Sequence, residues 1–255
     1  MRRLAIRPGA IGDFIVSLPA LECLRSDYFE VWCAGPNVPL VRFAGRVRSI
    51  ASTGLDWLGV GEAPPRLIEE LRSFDEIVCW YGANRPDFRE MVAQMGLPFR
   101  FFPALPPEGA GCHATDFYLG QVREVAPTEA SDGVPRIPCP AGSPRERLAI
   151  IQPFSGSPRK NWPIERFRRL ARGLERAMRV EWCRGPEDPE LAGAVVIEDL
   201  YQLACHLAQA SLYLGNDSGI THLAAAVGTP VLALFGPTDP AVWGPRGEHV
   251  RIARW

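Results

Sequence analysis

The sequence predicts an α/β fold built on doubly wound parallel sheets, and three features of the chain lead there. Short apolar runs of strand length alternate with segments whose apolar residues recur at helical spacing. The clearest such unit lies at 211–235. Ser211, Leu212, Tyr213 and Leu214 read as a buried strand, and Gly215-Asn216-Asp217 as the turn that breaks it. Ile220, Leu223, Ala224 and Val227 form the inward face of a helix opened by Ser218-Gly219, and Gly228-Thr229-Pro230 closes it before a strand over 231–235. Third, the stretch 127–147 lacks periodicity and is dense in Pro, Gly, Ser and charge. It reads as a linker between one domain over 1–126 and another over 148–255.

In the first domain a strand over 3–7 runs into the flexible turn Gly9-Ala10-Ile11-Gly12. Asp13 is expected to begin a helix reaching about Arg25, with Phe14, Val16, Leu18, Leu21 and Leu24 apolar and Pro19 kinking it or shifting its start. Strands over 30–34 and 47–50 follow, with a short helix over 37–43 between them. A helix over 69–74, a strand over 75–80, a helix over 85–95 and a short strand over 100–102 come next. The segment 103–111 is rich in Pro and Gly, and a helix over 113–125 ends the domain. The second domain restarts with a strand over 148–151, a polar loop over 152–163 and a helix over 164–176. A strand over 179–183, the apolar triplet Val195-Val196-Ile197 and a helix over 200–209 lead into the unit described above. A loop over 235–245 with Gly-Pro and Thr-Asp-Pro turn chemistry and a last strand over 250–253 complete the pattern.

Composition narrows the functional classes. The 255 residues carry a net charge of −1, which argues against a nucleic-acid binder, and 47% hydrophobic residues, which argue against disorder. The seven cysteines, Cys23, Cys33, Cys79, Cys112, Cys139, Cys183 and Cys205, are odd in number and lack C-x-x-C spacing. That disfavours a disulfide framework or a zinc site and fits a reducing cytoplasm. The N-terminal apolar run is too short for a signal peptide, and no run reaches membrane-spanning length.

Several residues stand out for their chemistry. Backbone N–H groups at the turn before Ser218-Gly219 form an anion site, reinforced by the helix dipole. Asp217 beside them either accepts hydrogen bonds from a ribose or caps the helix. His222, one turn on, is either a packed core histidine or a donor to a phosphate oxygen. In the loop over 152–163, Ser155, Gly156 and Ser157 would admit a phosphate closely, and Lys160 would supply a point charge. A surface loop with a solvated Arg159-Lys160 pair is the competing reading; against it, Lys160 is the one lysine in a chain that otherwise uses arginine. Gly9-x-x-Gly12 is part of a dinucleotide fingerprint, but Arg7 occupies the place of its first glycine, which counts against a nicotinamide-dependent epimerase or dehydrogenase. Asp13 is either a helix N-cap or a carboxylate at the carboxyl edge of the first strand, where open α/β sheets place their ligands.

Four blocks together resemble glycosyltransferase family nine, whose best-known members are the lipopolysaccharide heptosyltransferases. They are Arg7-Pro8-Gly9-Ala10-Ile11-Gly12-Asp13 with Leu18-Pro19-Ala20-Leu21; Lys160-Asn161-Trp162-Pro163; Gly185-Pro186-Glu187; and the run from Asn216 to Ala224 with Phe235-Gly236-Pro237-Thr238-Asp239-Pro240. The resemblance implies the GT-B architecture, two Rossmann-like domains with parallel sheets facing across a cleft. It implies a glycan or lipid-linked acceptor on the first domain and a nucleotide-diphosphate sugar, typically ADP-heptose, on the second. The implied reaction is an inverting transfer in which the donor is a substrate and no cofactor is needed. Asp13 matches the general base, with Gly9 and Gly12 in the acceptor-side turn. Ser155, Ser157 and Lys160 match the diphosphate loop, Glu187 falls near the nucleoside, and Asp217, Ser218, Gly219 and His222 match the second phosphate and sugar-binding turn. No D-x-D triplet occurs, so no metal is expected, and Lys160 with the helix terminus takes its place. The alternative is a nucleotide-sugar-binding protein of the same fold without transferase activity. The implied location is the cytoplasm, with peripheral contact at the inner membrane. Relatives have a longer first half and continue past the last strand into a helical tail.

Overall fold

The computed structural model describes residues 1–58, 60–61, 64–140 and 147–255; part of the expected linker, 141–146, lies outside the described residues. The chain divides into two compact units. The first comprises Met1–Ala10, Ser17–Ala110 and Ala114–Asp132, and the second Ile11–Val16, Gly111–His113 and Gly133–Trp255.

The first unit holds a parallel sheet of β1 (Arg2–Arg7), β2 (Tyr28–Cys33), β3 (Arg46–Ser49), β4 (Glu76–Cys79) and β5 (Phe99–Phe101) in the order β3-β2-β1-β4-β5. β1 is central, and every residue of it after Arg2 is buried, as a strand covered on both faces requires. Leu4, Ile6 and Trp32 from the strands pack with Leu67 and Leu71 of α3 (Pro65–Arg72) and Phe88 and Val92 of α4 (Pro86–Gln94). Both helices spend their i, i+4 apolar pairs on that core. Buried Glu30 is satisfied by the Trp32 Nε1–H at 2.7 Å and the Tyr28 hydroxyl at 3.0 Å.

The helix expected over 13–25 is two helices, α1 (Ile11–Ile15) and α2 (Leu18–Cys23). Pro19 has no N–H to give the Ile15 carbonyl, so the first helix stops and the second restarts with Pro in its first turn. The helix expected over 37–43 is a 3₁₀ segment, Gly35–Leu40, since Pro36 and Pro39 remove the donors of an α-helical ladder. α5 (Ala114–Val122) closes the unit, and its Tyr118 hydroxyl accepts from buried Arg7 at 2.9 Å while the guanidinium lies 4.6 Å from the ring centre. The arginine in the fingerprint glycine's place therefore serves packing.

The second unit repeats the plan with β6 (Leu148–Gln152), β7 (Arg179–Trp182), β8 (Leu212–Asn216), β9 (Val231–Phe235) and β10 (Val250–Arg254), all parallel in the order β10-β9-β8-β6-β7. Ile151, Leu214 and Leu234 pack on Phe167 and Ala171, one turn apart on α6 (Ile164–Leu174). α7 (Leu200–Leu207) is capped by Asp199, and α8 (Gly219–Ala226) by Ser218. β8 runs two residues beyond the expected strand, through Gly215 and Asn216. Of the triplet at 195–197, only Val195 pairs, in a single bridge to Cys183. The loop over 235–245 contains a short helix, α9 (Pro240–Trp243), whose Ala241 N–H is accepted by Asp239 at 3.0 Å.

The strand order fixes where a ligand can sit. From β6 the chain goes to β7 on one side, then returns to β8 on the other. The loops after β6 and β8 thus diverge at a topological switch point, the crevice in which open α/β sheets bind ligands.

Candidate active site

The switch point of the second unit brings together the loop over 153–163 and the turn over 216–219. Lys160 Nζ lies 2.7 Å from Asp217 Oδ2, with the lysine about one-third exposed and the aspartate only 6%. The contact is close enough for an ion pair but lacks the alignment of a hydrogen bond, so Oδ2 keeps unspent accepting capacity. Ser155 Oγ stands within hydrogen-bond distance of the Ser157 carbonyl (2.9 Å) and Asn161 Oδ1 (2.7 Å), which folds the small-residue part of the loop upon itself. Across from it, Ser218 caps α8 by accepting the Thr221 N–H at 3.3 Å. The ammonium of Lys160 therefore stands on Asp217, two residues ahead of Gly219, the first residue of α8. A cation and a helix N-terminus are what a diphosphate needs.

His222 is buried one turn into α8. Burial is the main cause that pushes its imidazole down to about 4; Asp217 opposes this, His113 and Lys160 add to it, and a hydrogen bond with the Trp243 backbone also opposes it. At neutral pH the ring is uncharged, so the cation of the site is Lys160.

Asp13 lies in the first turn of α1, two residues inside the helix start, so it is not the N-cap considered from sequence. α1 belongs to the second unit and packs against α8. Two glycines allow the approach. A Cβ on Gly219 would come 2.7 Å from Ile11 Cβ and 3.0 Å from the Gly12 nitrogen, and one on Gly12 would come 3.3 Å from His222 Cδ2. Half-buried Asp13 is thereby carried on a helix docked to α8. Gly9, in contrast, belongs to the first unit, with φ at 130° and its carbonyl accepting from Asn37 Nδ2 at 3.1 Å. Glu187 is exposed on the turn after β7, where Asp188 and not Glu187 accepts the Gly185 N–H; among the described residues it has no ion-pair partner.

Two residues of this site were not singled out from sequence. Asn216 is fully buried and ties the two loops together. His113, from a segment far upstream, joins the second unit, contacts the Gly244 carbonyl through Nε2 at 2.8 Å and acts on His222. A lone histidine ahead of a helix carries no periodic signal, and an Asn between a strand and a turn reads as turn chemistry. Among the described residues no group of three or more His, Cys, Asp or Glu converges as a metal site, and no helix is long and apolar enough to cross a membrane.

The sequence profile of glycosyltransferase family 9 (heptosyltransferase) matches residues 121–254. The chain belongs to glycosyltransferase family 9. Lipopolysaccharide heptosyltransferase 3 of Escherichia coli is 32% identical over 124 residues, 41% of this chain and 36% of that protein. Lipopolysaccharide heptosyltransferase 1 of Pseudomonas aeruginosa is 31% identical over 190 residues, 66% of this chain and 50% of that protein. The chain thus matches about a third to a half of the length of these curated relatives. Among solved structures, E. coli heptosyltransferase WaaC with ADP is similar over 100% of this chain and 93% of that one, at 19% identity and a TM-score of 0.71. With its two parallel five-stranded sheets, this family 9 chain has the GT-B fold implied by the four sequence blocks.

Proposed function

We propose that this protein is an inverting, metal-independent glycosyltransferase that moves heptose from ADP-heptose to a hydroxyl of a lipopolysaccharide-type acceptor. The observation that carries the reading is the pairing of Lys160 with Asp217 at 2.7 Å beside the capped N-terminus of α8, at the switch point of the second sheet. Family membership, relatives named for heptose transfer and a similar structure holding ADP support the choice of donor.

In this reading the donor diphosphate sits between Lys160 and the N–H groups around Ser218 and Gly219. Ser155 and Ser157 line its approach, and His222, uncharged, is available only as a neutral partner. Glu187 serves the nucleoside, and Gly9 and Gly12 shape the acceptor-side turn. The acceptor oxygen attacks the anomeric carbon from the face opposite the diphosphate; the C–O bond to the diphosphate breaks, and Asp13 takes the hydroxyl proton. A well-placed base contributes ~10²–10⁴-fold. The leaving ADP gains charge as the bond breaks, and Lys160 with the helix terminus stabilises it where a metal would otherwise be needed. We assign the acceptor to the unit carrying residues 17–110, the donor to the unit carrying 148–255, and the reaction to the cytoplasmic side of the inner membrane.

The test is ligand-dependent melting in the presence of a chelator, using ADP, UDP, GDP and adenosine. ADP at about one hundred times its dissociation constant should add about 2.7 kcal/mol. A response to ADP that needs added divalent metal would overturn metal independence, and no response to any diphosphate would overturn the donor assignment.

A further inference from the structure

The geometry points to Asn216 as the residue that positions Lys160 for the diphosphate. This inference rests on the donor site described above and adds to it a residue with no contact of its own to the anion.

Asn216 is the last residue of β8 and is fully buried. Its Oδ1 accepts the Trp162 N–H at 2.9 Å, and its Nδ2 donates to the Pro153 carbonyl at 2.7 Å. Those two partners are the two ends of the loop that carries Lys160: Pro153 follows β6 directly, and Trp162 stands two residues beyond the lysine. One side chain therefore pins both ends of the loop to the strand that leads into Asp217 and Ser218. The Asn216 carbonyl, in turn, accepts the Thr221 hydroxyl from the first turn of α8. Loop, strand end and helix start converge on a single residue.

Only a primary carboxamide of this length fits. The position needs a donor and an acceptor side by side, since it meets a buried backbone carbonyl at Pro153 and a part-buried backbone N–H at Trp162. The amide orientation is fixed by the same fact, because exchanging nitrogen and oxygen would face donor with donor and acceptor with acceptor. A carboxylate would lose the Pro153 bond, and an apolar side chain would lose both. Lys160, on a flexible stem, would then be free to leave the place where Asp217 holds it. Asn216 is thus a positioning residue that acts through Lys160.

A double-mutant cycle tests this, reading the preference of the protein for ADP over adenosine rather than stability. Asn216→Ala should reduce that preference about tenfold, as Lys160→Ala does, because both forfeit the same charge-assisted contact. In the Lys160→Ala background, Asn216→Ala should change the preference less than about twofold, since no lysine remains to be positioned. Where Asn216→Ala fails to fold, Asn216→Ser goes through the same cycle. An effect of full size in the Lys160→Ala background, or equal losses for ADP and adenosine, would overturn the inference. A parent protein that binds ADP no more tightly than adenosine would instead overturn the donor site, which separates the two failures.

Discussion

The buried imidazole of His222 gives the second unit a pH dependence that can be worked out in advance. Its folded value of about 4 lies below the ordinary histidine value of 6.5, chiefly because burial penalises the imidazolium. Between those values the unfolded chain binds a proton that the folded chain refuses. Stability from the neutral ring is therefore present above about pH 6.5, falls as the pH drops toward 4 and falls no further below it. A shift of that size corresponds to roughly 3 kcal/mol, at about 1.4 kcal/mol per pH unit. That is a large share of a typical domain's stability. His222→Gln keeps a polar side chain and cannot take the proton. Denaturant unfolding at pH 8, 6, 5 and 4 should show the parent losing roughly 3 kcal/mol more than the variant over the range. Parallel pH curves for the two proteins would refute the reasoning, and an imidazole titrating near 6.5 by NMR would locate the error in the burial argument.

Three further outcomes are expected. Gly219→Ala should cost about 1–3 kcal/mol, because its Cβ would meet Ile11 Cβ at 2.7 Å; an unchanged or higher melting temperature would contradict the close packing of α1 on α8. Lys160→Ala should weaken ADP by about tenfold or more by calorimetry while sparing adenosine, and equal losses would mark the lysine as a surface cation. Asp199→Ala removes the acceptor of the Tyr201 and Gln202 N–H groups at 2.9 and 2.8 Å and should cost about 0.5–2 kcal/mol with ADP affinity unchanged.

Most of the scaffold was legible because periodicity and turn chemistry are local signals. The two runs of alternating elements became two parallel sheets, and Ser218 opens α8 as its position before an apolar helical pattern implied. The break at Pro19 was half legible: the proline announced a disturbance, but only its missing bond to Ile15 decides that one helix becomes two. The sequence Gly9 to Gly12 reads as turn, which makes Asp13 a cap candidate; the helix begins at Ile11, drawn against α8 by Gly12 and Gly219. No local pattern announces that contact. Asn216 and His113 escaped for the same reason. Their partners are Trp162, Pro153, Gly244 and His222, and each link joins segments that only the strand order brings together.

The reaction we propose is a heptosyl transfer in which Asp13 takes the proton. The direct measurement is turnover of ADP-heptose on heptose-deficient lipopolysaccharide by the parent and by Asp13→Asn, with chelator present, read by the mass gained by the acceptor and by ADP released. The parent should add heptose with one ADP released per transfer. Asp13→Asn should bind ADP as the parent does and turn over ~10²–10⁴-fold more slowly. Asp13→Asn turning over at the parental rate would remove Asp13 from the mechanism. A parent that binds ADP-heptose and transfers nothing would make this chain a nucleotide-sugar-binding member of family 9.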